Sequence, residues 1–402
     1  MNTLRGIVVR LAFATAILLA TAGTLPLPAQ TFAVVHDFTG RSDGFAAYGG
    51  LILDSAGNLY GTTGAGGIYG WGTVFTMDQT GAETVLHHFT GGADGAAPVS
   101  SLIRESDGSL YGTTAQGGGG NCFGGCGTIF KLDAGGTLTT LYSFTGGGDG
   151  RNPWASLVKD AAGNFYGTAV SGGAYSFYGT VFRLNKNHSL TTLHSFSAKN
   201  GDGAQPQSGV LLDSHGNLYG TTAGGGKGYG TIYRISKSGA ETILYSFTGG
   251  NDGAAPYAGL VRDTQGNFYG AAQLGGASGT YGTVFKFDTA GKLTTLHSFS
   301  GTDGQFPVST LVRDKNGNLY GTTYGNQFAC QPDYGCGTVF ELDTNQKLTT
   351  LHGFTRWVDG AEPYAGLVQD SAGSLYGATQ YGGLPASPVG TLEFGAVFKL
   401  VP

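Results

Sequence analysis

The chain has 402 residues, of which 75 are glycine and 12 proline; only 12% are charged, and the formal net charge is −5. Glycine ordinarily supplies roughly 7% of a chain and is a poor helix former, so this composition excludes a helical bundle with charged outer faces. No Lys/Arg run marks a nucleic-acid surface and no three-residue glycine period marks collagen, while a 40% hydrophobic content supplies a core and argues against disorder.

In chain order, Arg5 and Arg10 precede an apolar stretch, Leu11 to Gly23, containing Ala20-Thr21-Ala22. A basic segment, an apolar segment and a small-residue cleavage site make a secretory signal peptide; the run falls short of the about 20 residues that span a bilayer. Residues 1–30 are therefore expected to be removed, after Ala22 or near Ala29. No later stretch is apolar enough to span a membrane. The expected location is outside the cytoplasm, extracellular or periplasmic.

Beyond the leader, a string close to Gly-Asn-Leu-Tyr-Gly-Thr-Thr recurs. Its tyrosines are Tyr60, Tyr111, Tyr166, Tyr219, Tyr269, Tyr320 and Tyr376, at steps of 51, 55, 53, 50, 51 and 56 residues. Seven copies near this period predict radially arranged β-sheets. The copy at 258–299 parses into four strands rich in Val, Phe, Tyr and Thr. Strand A is Ala258–Arg262, B is Asn267–Ala271, C is Gly282–Phe287 and D is Leu293–Phe299. Tight Asp/Gly turns join A to B and C to D. Longer, variable loops join B to C and D to the next A.

The ends sharpen this. Thr31-Phe-Ala-Val-Val-His-Asp-Phe38 matches strand D, and the last copy stops at strand C, Gly395–Leu400. The N-terminal strand is therefore expected to complete the last sheet. Closure would remove an exposed edge. The expected fold is all-β: one domain, residues 31–402, a seven-bladed β-propeller of four-stranded antiparallel blades.

The motifs Gly-Asn-Leu-Tyr-Gly-Thr-Thr, Tyr-Gly-Thr-Val-Phe, Leu-Thr-Thr-Leu-His-Ser-Phe and Asp-Gly-x-x-Pro resemble the GloVer tandem repeat of exported bacterial proteins. The resemblance covers residues 32–400. It implies no enzymatic activity; binding or scaffolding is the expectation it carries.

Four cysteines form two local pairs, Cys122/Cys126 and Cys330/Cys336. Export favours two loop disulfides, Cys122–Cys126 and Cys330–Cys336, over a shared zinc site.

In an up-down-up-down blade both long-loop sets emerge on one face, and loops on a rigid scaffold usually carry function. The slot after the proline precedes strand A and should lie nearest the channel mouth. It holds Tyr48, Val99, Trp154, Gln207, Tyr257, Val308 and Tyr364. Tyr48, Trp154, Gln207, Tyr257 and Tyr364 are the candidate ligand-binding residues, its four aromatics forming a stacking platform for a sugar or other flat group. The Asp-Gly slot holds Asp43, Asp94, Asp149, Asp202, Asp252, Asp303 and Asp359. These are expected to be turn residues bonding their own loops, calcium being the ion such a ring would take. The strand D slot holds His36, His87, Tyr142, His194, Tyr245, His297 and His352. Outermost in their blades, these are expected to pack at the edge with polar tips in water, too divergent for neighbouring copies to share an ion. Arg41, Arg151, Asn152, Arg356, Trp357 and Glu362 break the repeat on the long-loop side and are expected to be solvated. No metal site and no cofactor is expected.

No G-x-S-x-G, H-E-x-x-H or phosphate loop occurs. The expected function is a secreted, non-catalytic binding or scaffold propeller that takes a glycan or protein on its long-loop face and no nucleic acid. The alternatives are a metal-dependent hydrolase, lactonase or lyase at the channel mouth, and a structural cell-surface or matrix protein.

Overall fold

A computed structural model describes residues 30–325, 336–383 and 394–402. The leader assigned to residues 1–30 lies almost wholly outside the described residues. Seven four-stranded antiparallel sheets follow one another around a ring. Blades 1 to 6 each take strands A to D in chain order; in blade 1 these are Ile52–Leu53, Leu59–Thr63, Thr73–Met77 and Glu83–His88. Blade 7 takes Val368–Gln369, Leu375–Ala378 and Ala396–Val401 from the C-terminal end, and Thr31–Asp37 as its strand D. The register runs from Thr31 opposite Val401 to Asp37 opposite Ala396, with the bulge between strands C and D that every other blade also carries. The ring is closed as the displaced strand D required.

Strand A is shorter than its pattern suggests. Only Val261 and Arg262 pair with strand B in blade 5. The residues before them face the axis and bond to the next blade instead: Gly259 N–H donates to Thr310 Oγ1 at 3.0 Å, and Ser101 N–H to Ser156 Oγ at 3.1 Å. The first threonine of Gly-Thr-Thr does the same from strand B. Thr168 Oγ1 donates to Ser208 O, and Thr221 Oγ1 to Ala258 O, both at 2.9 Å.

Between blades, the phenylalanine ending strand D meets an aromatic ring on strand C of the next blade, edge to face. Phe89–Phe130, Phe144–Phe182 and Phe247–Phe285 have centroids 5.3, 5.2 and 5.3 Å apart. The glycine before strand C accepts the next blade's proline. A Cβ on Gly282, at φ +95°, would lie 2.6 Å from both Pro307 Cδ and the Ala272 carbonyl oxygen. The residue before the proline of a D–A loop has positive φ without being glycine: Ala97 at 52°, Asn152 at 55°, Gln205 at 56° and Glu362 at 56°. Two backbone bonds hold this left-handed residue. In blade 2, Ala97 N–H donates to Trp71 O of blade 1 at 3.0 Å, and Ala115 N–H donates to Ala97 O at 2.9 Å. The conformation costs on the order of 1–2 kcal/mol, and it locks each long loop to two blades.

Among the described residues no helix is long and apolar enough to cross a membrane. Cys122 and Cys126 form a disulfide. Cys336 is buried and disulfide-bonded; its expected partner, Cys330, lies outside the described residues.

Candidate binding site at the axial mouth

The D–A and B–C loops share one face, because they pair: Ala96 with Gln116, Arg151 with Ser171, Ala254 with Leu274 and Ala361 with Tyr381. At the centre of the ring, all seven residues of the post-proline slot line one cavity of about 110 Å³. Tyr48, Val99, Trp154, Gln207, Tyr257, Val308 and Tyr364 surround it together with Ser100, Ser101, Ser156, Ser208, Ser309 and Thr310. Small hydroxyl residues stand there because seven inner segments crowd the axis. The space holds a few waters or the edge of a ligand, far less than the roughly 300–1,000 Å³ of an enclosing pocket. Trp154 stands 43% exposed beside it.

One sector of the mouth differs from the rest. Tyr364 lies between Tyr48 and Tyr324, with ring centroids 5.8 and 5.7 Å away and both pairs edge to face. Gln380 Nε2 donates to Tyr48 Oη. Burial, with Tyr381, Tyr364 and Glu362 adding to it, pushes the Tyr48 phenol up to about 12. Burial and then the Glu362 carboxylate push Tyr324 up as well. Burial followed by Tyr257 brings Tyr364 to about 12. These phenols stay protonated donors at any physiological pH.

Glu362 was expected in solvent; it is 4% exposed. The left-handed turn before Pro363 aims it inward, against the tyrosines. Of the other repeat-breaking residues, Asn152 donates from Nδ2 to Ala115 O at 2.9 Å, Arg151 lies 6.0 Å from the Phe177 ring, and Trp357 is exposed. Tyr324, Gln380 and Tyr381 were not singled out from sequence. Their signal was weak: the residue after Gly-Thr-Thr is small or apolar in most copies, and Tyr324 breaks that. Exposed Tyr69, Trp71, Tyr175, Phe177 and Tyr229 stand on the B–C loops of blades 1, 3 and 4, on the same face.

The Asp-Gly and strand D slots prove to be one system. Asp149 accepts from Thr145 N–H at 2.8 Å and Thr145 Oγ1 at 2.6 Å, and from Tyr142 Oη at 3.0 Å. Asp252 holds Thr248 and Tyr245 in the same way. His297 Nε2 meets Asp303 at 2.8 Å and His352 Nε2 meets Asp359 at 3.0 Å. His87–Asp94 and His194–Asp202 follow at 3.3 and 3.2 Å, and His36–Asp43 at 3.9 Å. The aspartates bond their own loops as anticipated, but the histidine and tyrosine tips rest on carboxylates, not in water. The bulge between strands C and D and the short loop bring the two slots together.

A Gloeobacter/Verrucomicrobia repeat model matches residues 21–228, 119–263 and 224–402. No curated protein matches the sequence. Among solved structures, the extracellular domain assigned to a hybrid two component system of B. thetaiotaomicron has TM-score 0.59 at 12% identity, over 92% of this chain and 39% of that one. An extracellular domain assigned to a one component system of the same organism has TM-score 0.56 at 10% identity, over 91% and 39%. This chain thus spans 39% of the length of each. A gluconolactonase from Xanthomonas campestris is 16% identical with TM-score 0.43, over 73% of this chain and 86% of its own.

Proposed function

The chain belongs to the Gloeobacter/Verrucomicrobia repeat family, and we propose that it is an exported, non-catalytic binding propeller whose long-loop face takes a glycan at the axial mouth. The observation that carries the reading is the convergence of Tyr48, Trp154, Tyr257 and Tyr364 on one serine-lined opening with the buried Glu362 alongside. Aromatic faces stack on sugar rings, while phenols, hydroxyls, an amide and a carboxylate answer sugar hydroxyls. The shallow cavity suits the end or edge of a chain laid across the mouth. The basic-apolar leader and the Cys122–Cys126 disulfide support export to an oxidising compartment.

The test is a glycan array probed with the purified protein, repeated with Trp154→Ala/Tyr257→Ala. Binding that falls at least tenfold in the double variant supports the reading. An array without binders, or a double variant that binds equally, overturns it.

A further inference from the structure

The residue that opens strand D sits at the blade boundary, and in blades 3 and 5 it shares an apolar cluster with the strand D tyrosine of the preceding blade, Tyr142 or Tyr245. It is Leu138, Leu190, Leu293 or Leu348 in blades 2, 3, 5 and 6. In blade 7 the equivalent residue, opposite Leu400, is Phe32, the second of its strand, stacked on His352 with ring centroids 3.6 Å apart. The position is an apolar one, yet blades 1 and 4 carry Glu83 and Glu241 there. A carboxylate in such a place costs folding energy unless something pairs with it.

At the boundary of blades 3 and 4, Glu241 Oε1 lies 3.5 Å from His194 Nε2, which lies 3.2 Å from Asp202 Oδ1. The ligand atoms of the three side chains fall within 4.8 Å of one another, a gathering of three that no other His, Cys, Asp or Glu group matches among the described residues. The Glu241 side chain is 15% exposed. Its Oε1 is buried and accepts no hydrogen bond. That oxygen is ion-paired with the His194 imidazole and set against the Asp202 carboxylate, so three ligand-type groups face one another in one partly buried place.

The geometry points to a divalent transition-metal site formed by His194, Asp202 and Glu241, an ion of the zinc class that clamps blade 3 to blade 4. One imidazole nitrogen and two carboxylate oxygens form a tetrahedral donor set, with water as the fourth ligand. Two carboxylates and a neutral imidazole balance a 2+ charge. Ligand atoms about 2.0–2.2 Å from zinc stand roughly 3.3 Å apart, so the glutamate needs only a short inward movement. His194 comes from blade 3, Glu241 from blade 4 and Asp202 from the loop that joins them, which makes the ion a cross-link between units otherwise joined by apolar contacts and a few hydrogen bonds. Equivalent positions of adjacent copies diverge at the rim, but unlike positions can meet there. The neighbour of His194 is Glu241, a different position in the next copy.

Untagged protein, stripped with chelator and dialysed against Zn2+, is expected to retain one equivalent of tight zinc and to melt at a higher temperature than the stripped form. Glu241→Leu is the decisive variant because leucine already fills that position in four blades. It is expected to fold, to bind zinc at least tenfold more weakly, and to lose the zinc-dependent rise in Tm. Asp202→Asn should weaken binding likewise, while Glu83→Leu at the blade 7–blade 1 boundary should leave it unchanged. A wild-type protein that retains no zinc overturns the proposal. So does a folded Glu241→Leu protein that retains zinc as tightly as wild type.

Discussion

Phe38, which follows the strand Thr31–Asp37, meets Phe75 edge to face with ring centroids 5.5 Å apart. The pair repeats, across the closure of the ring, the contact that Phe299 makes with Phe340 at 5.4 Å between blades 5 and 6. On the other side of the same blade, Phe354 meets Phe398 at 5.2 Å. The closing blade is thus packed like the others, and the first strand is a structural member of the ring.

Removing residues 31–39 leaves the strand C edge at Ala396–Val401 unpaired and takes Phe38 from the core. The truncated protein is expected to lose cooperative melting or to aggregate. The milder Phe38→Ala is expected to cost about 3–5 kcal/mol in urea denaturation. A truncated protein with unchanged Tm would show that the ring does not depend on this strand.

Two glycines on one repeat separate conformational freedom from close approach. Gly291 has φ +83° and open space around its α-carbon, whereas Gly282 has φ +95° with Pro307 and Ala272 O in the way. Gly291→Ala should cost about 1 kcal/mol for the left-handed backbone alone. Gly282→Ala should cost more by roughly another 1–3 kcal/mol from overpacking, because backbone oxygen and a proline ring cannot turn aside. Equal Tm losses would remove the inter-blade role given to the Gly282–Pro307 contact.

The blade count and its closure were legible because each copy repeats the same turn and strand chemistry, and a strand D was found where the chain begins. The convergence of Tyr48, Trp154, Tyr257 and Tyr364 was legible too, since a slot beside the innermost strand must come near the axis. Contacts between unlike slots were not. Glu241 reaches His194 only because adjacent blades are offset, and Tyr142 reaches Asp149 only through a bulge and a short loop. Glu362 reads as a surface residue until a positive φ turns it inward. In each case a spacing along the chain says nothing about which positions of two copies end up side by side.

Tyr142 and Asp149 test the outer ring by themselves. Asp149→Ala removes the acceptor of three bonds and is expected to destabilise by about 1–3 kcal/mol, and Tyr142→Phe by about 1 kcal/mol. In a double-mutant cycle followed by denaturation the pair should couple by about 1 kcal/mol. Strict additivity would mean that their 3.0 Å contact contributes nothing.

Glu83 gives the stability a pH dependence. Burial, and after it Asp43, pushes its carboxyl up to about 7 from an ordinary 4.5. Its Oε1 is buried without a partner. The folded state therefore favours the protonated acid, so its contribution is intact below about pH 4.5 and is lost as pH rises through about 7. Glu83→Leu removes that loss. Relative to wild type, the variant should gain about 1 kcal/mol between pH 5 and pH 8 after allowance for solvent screening of a partly exposed group. A difference that stays flat with pH would place the Glu83 carboxyl in ordinary solvent.

Glu362→Gln separates the two halves of the axial mouth. The amide keeps the size of the side chain and its place before Pro363, so the left-handed turn and its backbone bonds to Cys336 and Gln380 should persist. What it removes is the charge beside Tyr48 and Tyr324. A hydrogen bond to a charged group is worth about 1.5–3 kcal/mol. A glycan whose hydroxyls bond the carboxylate should therefore bind about ten- to a hundredfold more weakly, with Tm nearly unchanged. The aromatic variant Trp154→Ala should weaken binding through lost stacking without altering its dependence on salt or pH. If Glu362→Gln binds like wild type while Trp154→Ala does not, the ligand lies on the aromatic side of the mouth and the carboxylate serves only to hold the tyrosines in place.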